Sequence, residues 1–429
     1  MAIYLICYLA SFFLARAGYY GLSGAALLIA AVWLYALDYR KSGNLIHLRG
    51  LFSLFWVGGQ GLACLKLSRL QGDWALMTWI CLALAFLGFW LVFEALTRLY
   101  GSGHDNYGRW RSFSGDPAPV FHMICVLTIV SLVCFAIEAV TLGYVPLLIK
   151  GVPHAYSEFH LTGVHYLTVS CVLVPSLTVL YFHMARGRES GRTAGLVIAM
   201  TILSLLIPIL CVSRFQFVFA VLLAAFTYIS LQKSFHPLYL VGLVVILVPV
   251  YLILTVARSH DVEYLNGIFE MKRAATPIFI SQPYIYIANN YDNFNCMVEA
   301  LPEHSFGLRS LFPLWALTGL KFVFPQLINF PIYVDKKELT TLTLFYDAYY
   351  DFGWAGVLIF SCLLGFVAYL LVVKLREMRN PMGYLLYAQM GVYLMLSFFT
   401  TWFSNTTVWF YLILTGLMAW YYSFRARRR

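Results

Sequence analysis

The chain has 429 residues and a formal charge of +10, and it is 61% hydrophobic but only 11% charged. Soluble domains run about 45–50% apolar and about 25% charged, so this chain cannot coat a water-soluble particle, and most of its surface must face lipid. The positive excess then reports membrane topology, and nucleic-acid binding is excluded as the main activity.

Spanning helices need about 20 apolar residues each. Runs of that kind lie near 2–15, 18–37, 51–66, 75–97, 119–141, 161–183, 193–212, 215–231, 238–256, 353–373, 381–400 and 408–424. The prediction is an all-α, polytopic integral membrane protein forming one transmembrane domain over 1–429, with about twelve spans and a range of 10–13. The first run is short and has no basic flank, which reads as a signal anchor. The nine cysteines lie almost entirely in apolar runs and form no CxxC or Cys/His cluster, so they read as small buried hydrophobes.

Orientation follows from basic residues in the short connections. With the N-terminus inside, seventeen Lys and Arg fall on cytoplasmic segments and five on short outer ones: Arg16, Lys66, Arg69, Lys150 and Arg214. Both termini are then expected in the cytoplasm of a bacterial cell membrane. The exception to short connections is 257–341, a long extracytoplasmic loop with interfacial or re-entrant helical segments. Within it 305–333 is apolar but cut by Pro313, Pro325 and Pro331, which argues against a clean span.

Charged residues inside spans are few. Glu94 lies four residues before Arg98 and reads as a local helix pair; Glu138, His122, His165 and His183 lie near span ends. Arg214 is different, because only Ser213 and Arg214 separate two apolar runs. Arg258 and His260 emerge at the outer end of the span after the next inner turn. Two guanidiniums at one depth suit a diphosphate, which favours planar, permanently charged donors.

The segment 281–301 concentrates Tyr284, Asn290, Tyr291, Asp292 and Asn293, whose amides, carboxylate and aromatic faces match sugar hydroxyls and ring faces. A polar loop or helix cap is the plainer reading of the same composition. Further on, Asp347 and Asp351 are spaced i,i+4, as are Tyr346 and Tyr350, so each pair shares a helix face. An interfacial aromatic belt explains this cluster; so does an outer carboxylate pair able to take a proton from an acceptor hydroxyl.

Taken in order, Ser213–Arg214 before a span, Arg258 after one, Asn290 to Phe294 (NYDNF), and Thr341 to Gly356 running through DFG into a span resemble the O-antigen polymerase (Wzy-type) and oligosaccharide repeat-unit polymerase family. The resemblance covers roughly 200–360; the N-terminal half matches only as a hydrophobic scaffold. It implies a metal-independent glycosyltransferase, without cofactor, that polymerises undecaprenyl-diphosphate-linked oligosaccharide repeat units on the outer face of the inner membrane. Arg214 and Arg258 would then hold the donor diphosphate. Tyr284, Asn290, Tyr291, Asp292, Asn293 and Tyr350 would hold glycan, and Asp347, Asp351 or His260 would serve as base. A chain-length-determining co-polymerase is an implied partner, alongside membrane lipids. The chain departs from the family in placing Arg214 in a two-residue turn, where such polymerases carry a second long outer loop. The alternatives are an O-antigen ligase or other polyprenyl-diphosphate-linked glycan transferase, and a flippase that moves the lipid-linked glycan without chemistry.

Overall fold

The computed structural model describes residues 1–101, 115–149, 155–187, 189–232, 262–273 and 276–427. Among them every regular element is helical and none is a strand. Seven segments are long and apolar enough to cross a membrane: Tyr20–Ser42, Leu76–Tyr100, Ala118–Leu142, Val164–Ala185, Gly191–Leu210, Arg214–Leu231 and Tyr346–Lys374. Their outward positions are apolar, with Leu22, Val140 and Ile359 exposed by 61%, 83% and 61%. Surfaces of that kind belong in hydrocarbon, and the protein is a multi-pass membrane protein.

The expected twelve spans are not reached among the described residues. The run 238–256 lies outside them. The runs at 2–15 and 381–400 form helices of 15 and 14 residues, and the last helix, Thr406–Arg427, is diluted by aromatic and basic residues. Residues 48–64 form a rod of two short α-helices, Leu48–Phe52 and Gly58–Cys64, joined by a π turn at Ser53–Val57.

The chain divides into two compact units. The first draws on residues 1–108, 261–374 and 393–409, and the second on 109–260, 375–392 and 410–429.

In the first unit, Leu76–Tyr100 lies along Tyr346–Lys374, and glycines set the approach. A Cβ at Gly88 would overlap Ser361 Oγ, and one at Gly365 would overlap the Phe89 carbonyl. Small residues permit such backbone contact between membrane helices, where dispersion rather than water drives association. Gly24 and Gly61 play the same part between Tyr20–Ser42 and the rod. At one end of this unit the Arg49 guanidinium holds Asp38 (Nη2 to Oδ1, 2.5 Å) and Glu94 (Nη1 to Oε2, 2.8 Å). The expected Glu94–Arg98 pair is also present, at 3.0 Å.

The second unit packs Val164–Ala185, Gly191–Leu210 and Arg214–Leu231 with Ala118–Leu142. Glu138 is fully buried and meets His165 Nδ1 and the Leu161 N–H, both at 3.0 Å. Tyr411 donates to the Val169 carbonyl at 3.0 Å and stacks on Phe219. All nine cysteines are free thiols.

Candidate functional site

Residues 278–300 form one helix, Ile278–Ala300, rather than a polar loop. Most of its polar side chains are buried in the first unit, and neighbouring segments supply partners for those from Asn290 to Asn293. Asn290, Tyr291, Asp292 and Asn293 are all buried. Tyr291 donates to the Trp56 carbonyl at 2.8 Å. Asn290 Nδ2 donates to the Phe398 carbonyl at 2.6 Å, and its Oδ1 accepts from Thr341 Oγ1 at 2.5 Å. Asn293 Nδ2 reaches the carbonyls of Leu339 and Thr341, at 2.8 and 2.9 Å. These amides fasten the 335–341 segment onto the helix. The expected glycan-binding groups are therefore engaged inside the protein.

Asp292 sits at the centre of a buried polar knot. Lys66 Nζ and Trp74 Nε1 both reach its Oδ1 at 2.7 Å, and Gln71 Nε2 reaches Oδ2 at 2.8 Å. Tyr284 closes the knot by donating to Gln71 Oε1 at 2.6 Å. Lys66 and Asp292 side chains are 5% and 4% exposed, so the pair is largely buried. Lys66 also lies 4.3 Å from the Trp74 ring and carries a left-handed backbone at φ +49. A non-glycine residue takes that conformation only where its surroundings hold it.

The carboxylates Asp347 and Asp351 both turn toward the segment 305–333, as their i,i+4 spacing requires. Asp351 has both oxygens occupied. Oδ1 accepts from Ser305 Oγ and, at 3.1 Å, from the Arg309 N–H; Oδ2 accepts from the Ser310 N–H at 2.8 Å. Asp347 Oδ1 is paired with Arg309 Nε. The Arg309 guanidinium lies over two neighbouring aromatic rings, 5.3 Å from the Tyr346 centroid and 4.6 Å from that of Tyr350, which are 6.5 Å from each other. Burial disfavours its charge, but Asp347 outweighs that and keeps its pKa above the ordinary value. Its Nη1 makes two long contacts, 3.4 Å each, to the Phe330 and Pro331 carbonyls.

Residues 305–333 thus form a flap closed at its base. Its entry is tied to Asp351. At its exit the Tyr333 N–H donates to Tyr346 OH at 2.9 Å, and the Phe330 ring packs edge-on against Tyr350. The body consists of Phe312–Leu317, Leu320–Val323 and a 3-10 turn at Pro325–Leu327, none long enough to span. Phe322 and Val323 at its far end are both 67% exposed. Where the helix Tyr346–Lys374 breaks, Gly353 has φ +61, a left-handed conformation that glycine alone takes without strain. His304 fills the space beside it and meets the Tyr350 carbonyl through Nδ1 at 3.2 Å.

Arg214 opens the helix Arg214–Leu231 in the second unit and is only 8% exposed. It follows Val212, a β-branched residue at φ +53. A cation there opposes the helix dipole, which favours anions at that end. Arg258 and His260 lie outside the described residues.

Lys66, Gln71, Trp74, Ser305 and Arg309 were not singled out from sequence as site residues. Lys66 and Arg309 counted there only as topology charges, and Lys66 lies 226 positions from Asp292. No protein-family model matches the chain, and neither a curated protein nor a solved structure matches it.

Proposed function

We propose that this protein is a membrane glycosyltransferase polymerising oligosaccharide repeat units carried on undecaprenyl diphosphate. On this reading the chain has about twelve spans, both termini in the cytoplasm and an active face outside a bacterial inner membrane. The observation that carries the reading is Arg309, laid over the neighbouring rings of Tyr346 and Tyr350 and paired with Asp347 at the base of an apolar flap. A lipid-linked glycan diphosphate presents an anion, sugar faces and a hydrocarbon tail. A guanidinium, two tyrosines and an apolar segment are the matching chemistry.

In the reaction the acceptor hydroxyl oxygen attacks the anomeric carbon of the donor glycan. A new C–O bond forms as the bond to the diphosphate breaks, and the diphosphate departs with the electron pair. Asp347 is the better-placed base of the two carboxylates, since Asp351 is saturated by the flap. It would take the hydroxyl proton, while arginine charge offsets the growing charge on the leaving group. Tyr350 is retained as a glycan contact; that Arg214 and Arg258 hold the diphosphate rests on the family resemblance. A chain-length co-polymerase belongs to the same proposal as a partner.

The test is polymerisation in liposomes supplied with the native lipid-diphosphate repeat unit, chelator and no nucleotide. The expected product is a size ladder that disappears in Arg309→Ala, Arg214→Ala and Arg258→Ala while each variant stays folded. Transfer to a lipid-core acceptor without a ladder would indicate a ligase instead. Translocation without any new glycosidic bond would replace the enzyme reading with a flippase.

A further inference from the structure

A second polar site lies in the first unit, away from the flap base. Arg16, Tyr20, Cys64, Lys66, Asp73, Trp74 and Trp79 line a cleft at the turn between the first two helices and the start of Leu76–Tyr100. Lys66 is the buried cation among them. One of its three N–H donors is spent on Asp292, and among the described residues no acceptor is seen for the other two. Arg16 is exposed at the cleft edge, beside Phe12. Asp73, the carboxylate on the cleft lining, accepts from Tyr20 OH at 2.8 Å.

Two more cations are brought up by a short antiparallel pairing. The Arg69 N–H donates to the Glu270 carbonyl and the Lys272 N–H to the Leu67 carbonyl, both at 2.9 Å. Lys272 then lies over the Tyr20 ring at 5.7 Å. On the lining itself Arg16 and Lys66 meet one carboxylate, Asp73; Arg69 and Lys272 come up beside it together with Glu270, whose carboxylate is held by Lys336 at 2.7 Å, and Asp292 already accepts from three donors. Three aromatic side chains, Tyr20, Trp74 and Trp79, share the lining, and such residues are frequent at the head-group level of membrane proteins.

We infer that this cleft binds the phosphate of a lipid head group, between the spare donors of Lys66 and the Arg16 guanidinium. The site is separate from Arg309 at the flap base, and its test does not depend on glycosyl transfer. Phosphatidic acid and a polyprenyl phosphate offer the same group from two sources.

The experiment places the full chain in phosphatidylcholine nanodiscs doped with either lipid and counts retained phosphate lipid by native mass spectrometry. Wild-type protein should retain one such lipid. Arg16→Ala should weaken retention about tenfold, the loss of one charge-assisted contact. Removing Lys66 alone leaves Asp292 without its cation, so the double variant Lys66→Met/Asp292→Asn is used to keep the knot neutral. It should weaken retention by at least as much. Arg98→Ala, an exposed charge at the far end of Leu76–Tyr100, should leave retention unchanged. Preference for phosphatidic acid would assign the cleft to bulk lipid, and preference for polyprenyl phosphate to the carrier; either supports the site. Equal retention in wild type, Arg16→Ala and the double variant would overturn it, as would equal losses in Arg98→Ala.

Discussion

Breaking the Lys66–Asp292 pair offers the sharpest test of how the first unit is held together. Asp292→Asn leaves a buried ammonium facing a neutral amide, and Asn cannot accept from three donors with one oxygen. Removing one partner of a buried pair costs about 3–5 kcal/mol. Lys66→Met is milder, about 2 kcal/mol, because Trp74 and Gln71 still donate to the carboxylate. The double variant has no buried charge to desolvate and should recover much of the loss, giving a coupling of at least about 2 kcal/mol. The assay is reversible unfolding in mixed micelles followed by tryptophan emission, since the Trp74 ring lies 4.3 Å from Lys66 Nζ. At about 2–4 °C per kcal/mol, Asp292→Asn should lower the midpoint by about 6–20 °C. Single-variant losses that add to the double within about 0.5 kcal/mol would refute the coupled, buried pair.

Three other outcomes follow from the flap and its surroundings. Asp351→Ala removes the acceptor for Ser305, Arg309 and Ser310, so protease cleavage within 305–333 should rise at least about tenfold with little change in global unfolding. Phe322→Trp should be quenched by brominated lipids in vesicles if the exposed end of the flap lies at the interface, and an unquenched tryptophan would place it in water. Desolvation, then the charges of Asp292 and Glu299, push the Asp335 carboxyl up to about 6, with Lys66 partly opposing, although part of its surface reaches solvent. Its folded pKa is raised, so its stabilisation is present below about pH 4 and lost as pH rises through about 6. Asp335→Asn should remove that step from a plot of unfolding midpoint against pH.

The membrane class and most helices were legible because lipid imposes a length and a composition on anything that crosses it. Glu94–Arg98 was legible because it is local, one helical turn apart. The Ile278–Ala300 helix read as a possible loop because asparagine and aspartate are turn formers in isolation; their buried partners, Trp56, Phe398 and the 335–341 segment, lie far off in sequence. The i,i+4 geometry of Asp347 and Asp351 could be read, but not that Asp351 would be saturated by backbone donors of the flap. Arg309 was hidden because an arginine in a proline-broken apolar stretch looks like a charge at an interface. Its setting needs two tyrosines from a helix that begins 37 residues later, at Tyr346.

The π turn at Ser53–Val57 has a consequence for how the rod 48–64 can vary. A π turn holds one residue more than an α turn, so the two halves are out of phase by about 100°. One half aims Arg49 at Asp38 and Glu94; the other aims Gly59 at Tyr291 and Gly61 at Gly24. Deleting one residue between 53 and 57 would leave a regular helix of better hydrogen-bond geometry and swing one face off its target. The rod behaves as a two-toothed key whose cut depends on residue count more than residue type. Substitutions within the wide turn should be tolerated where a single deletion is not.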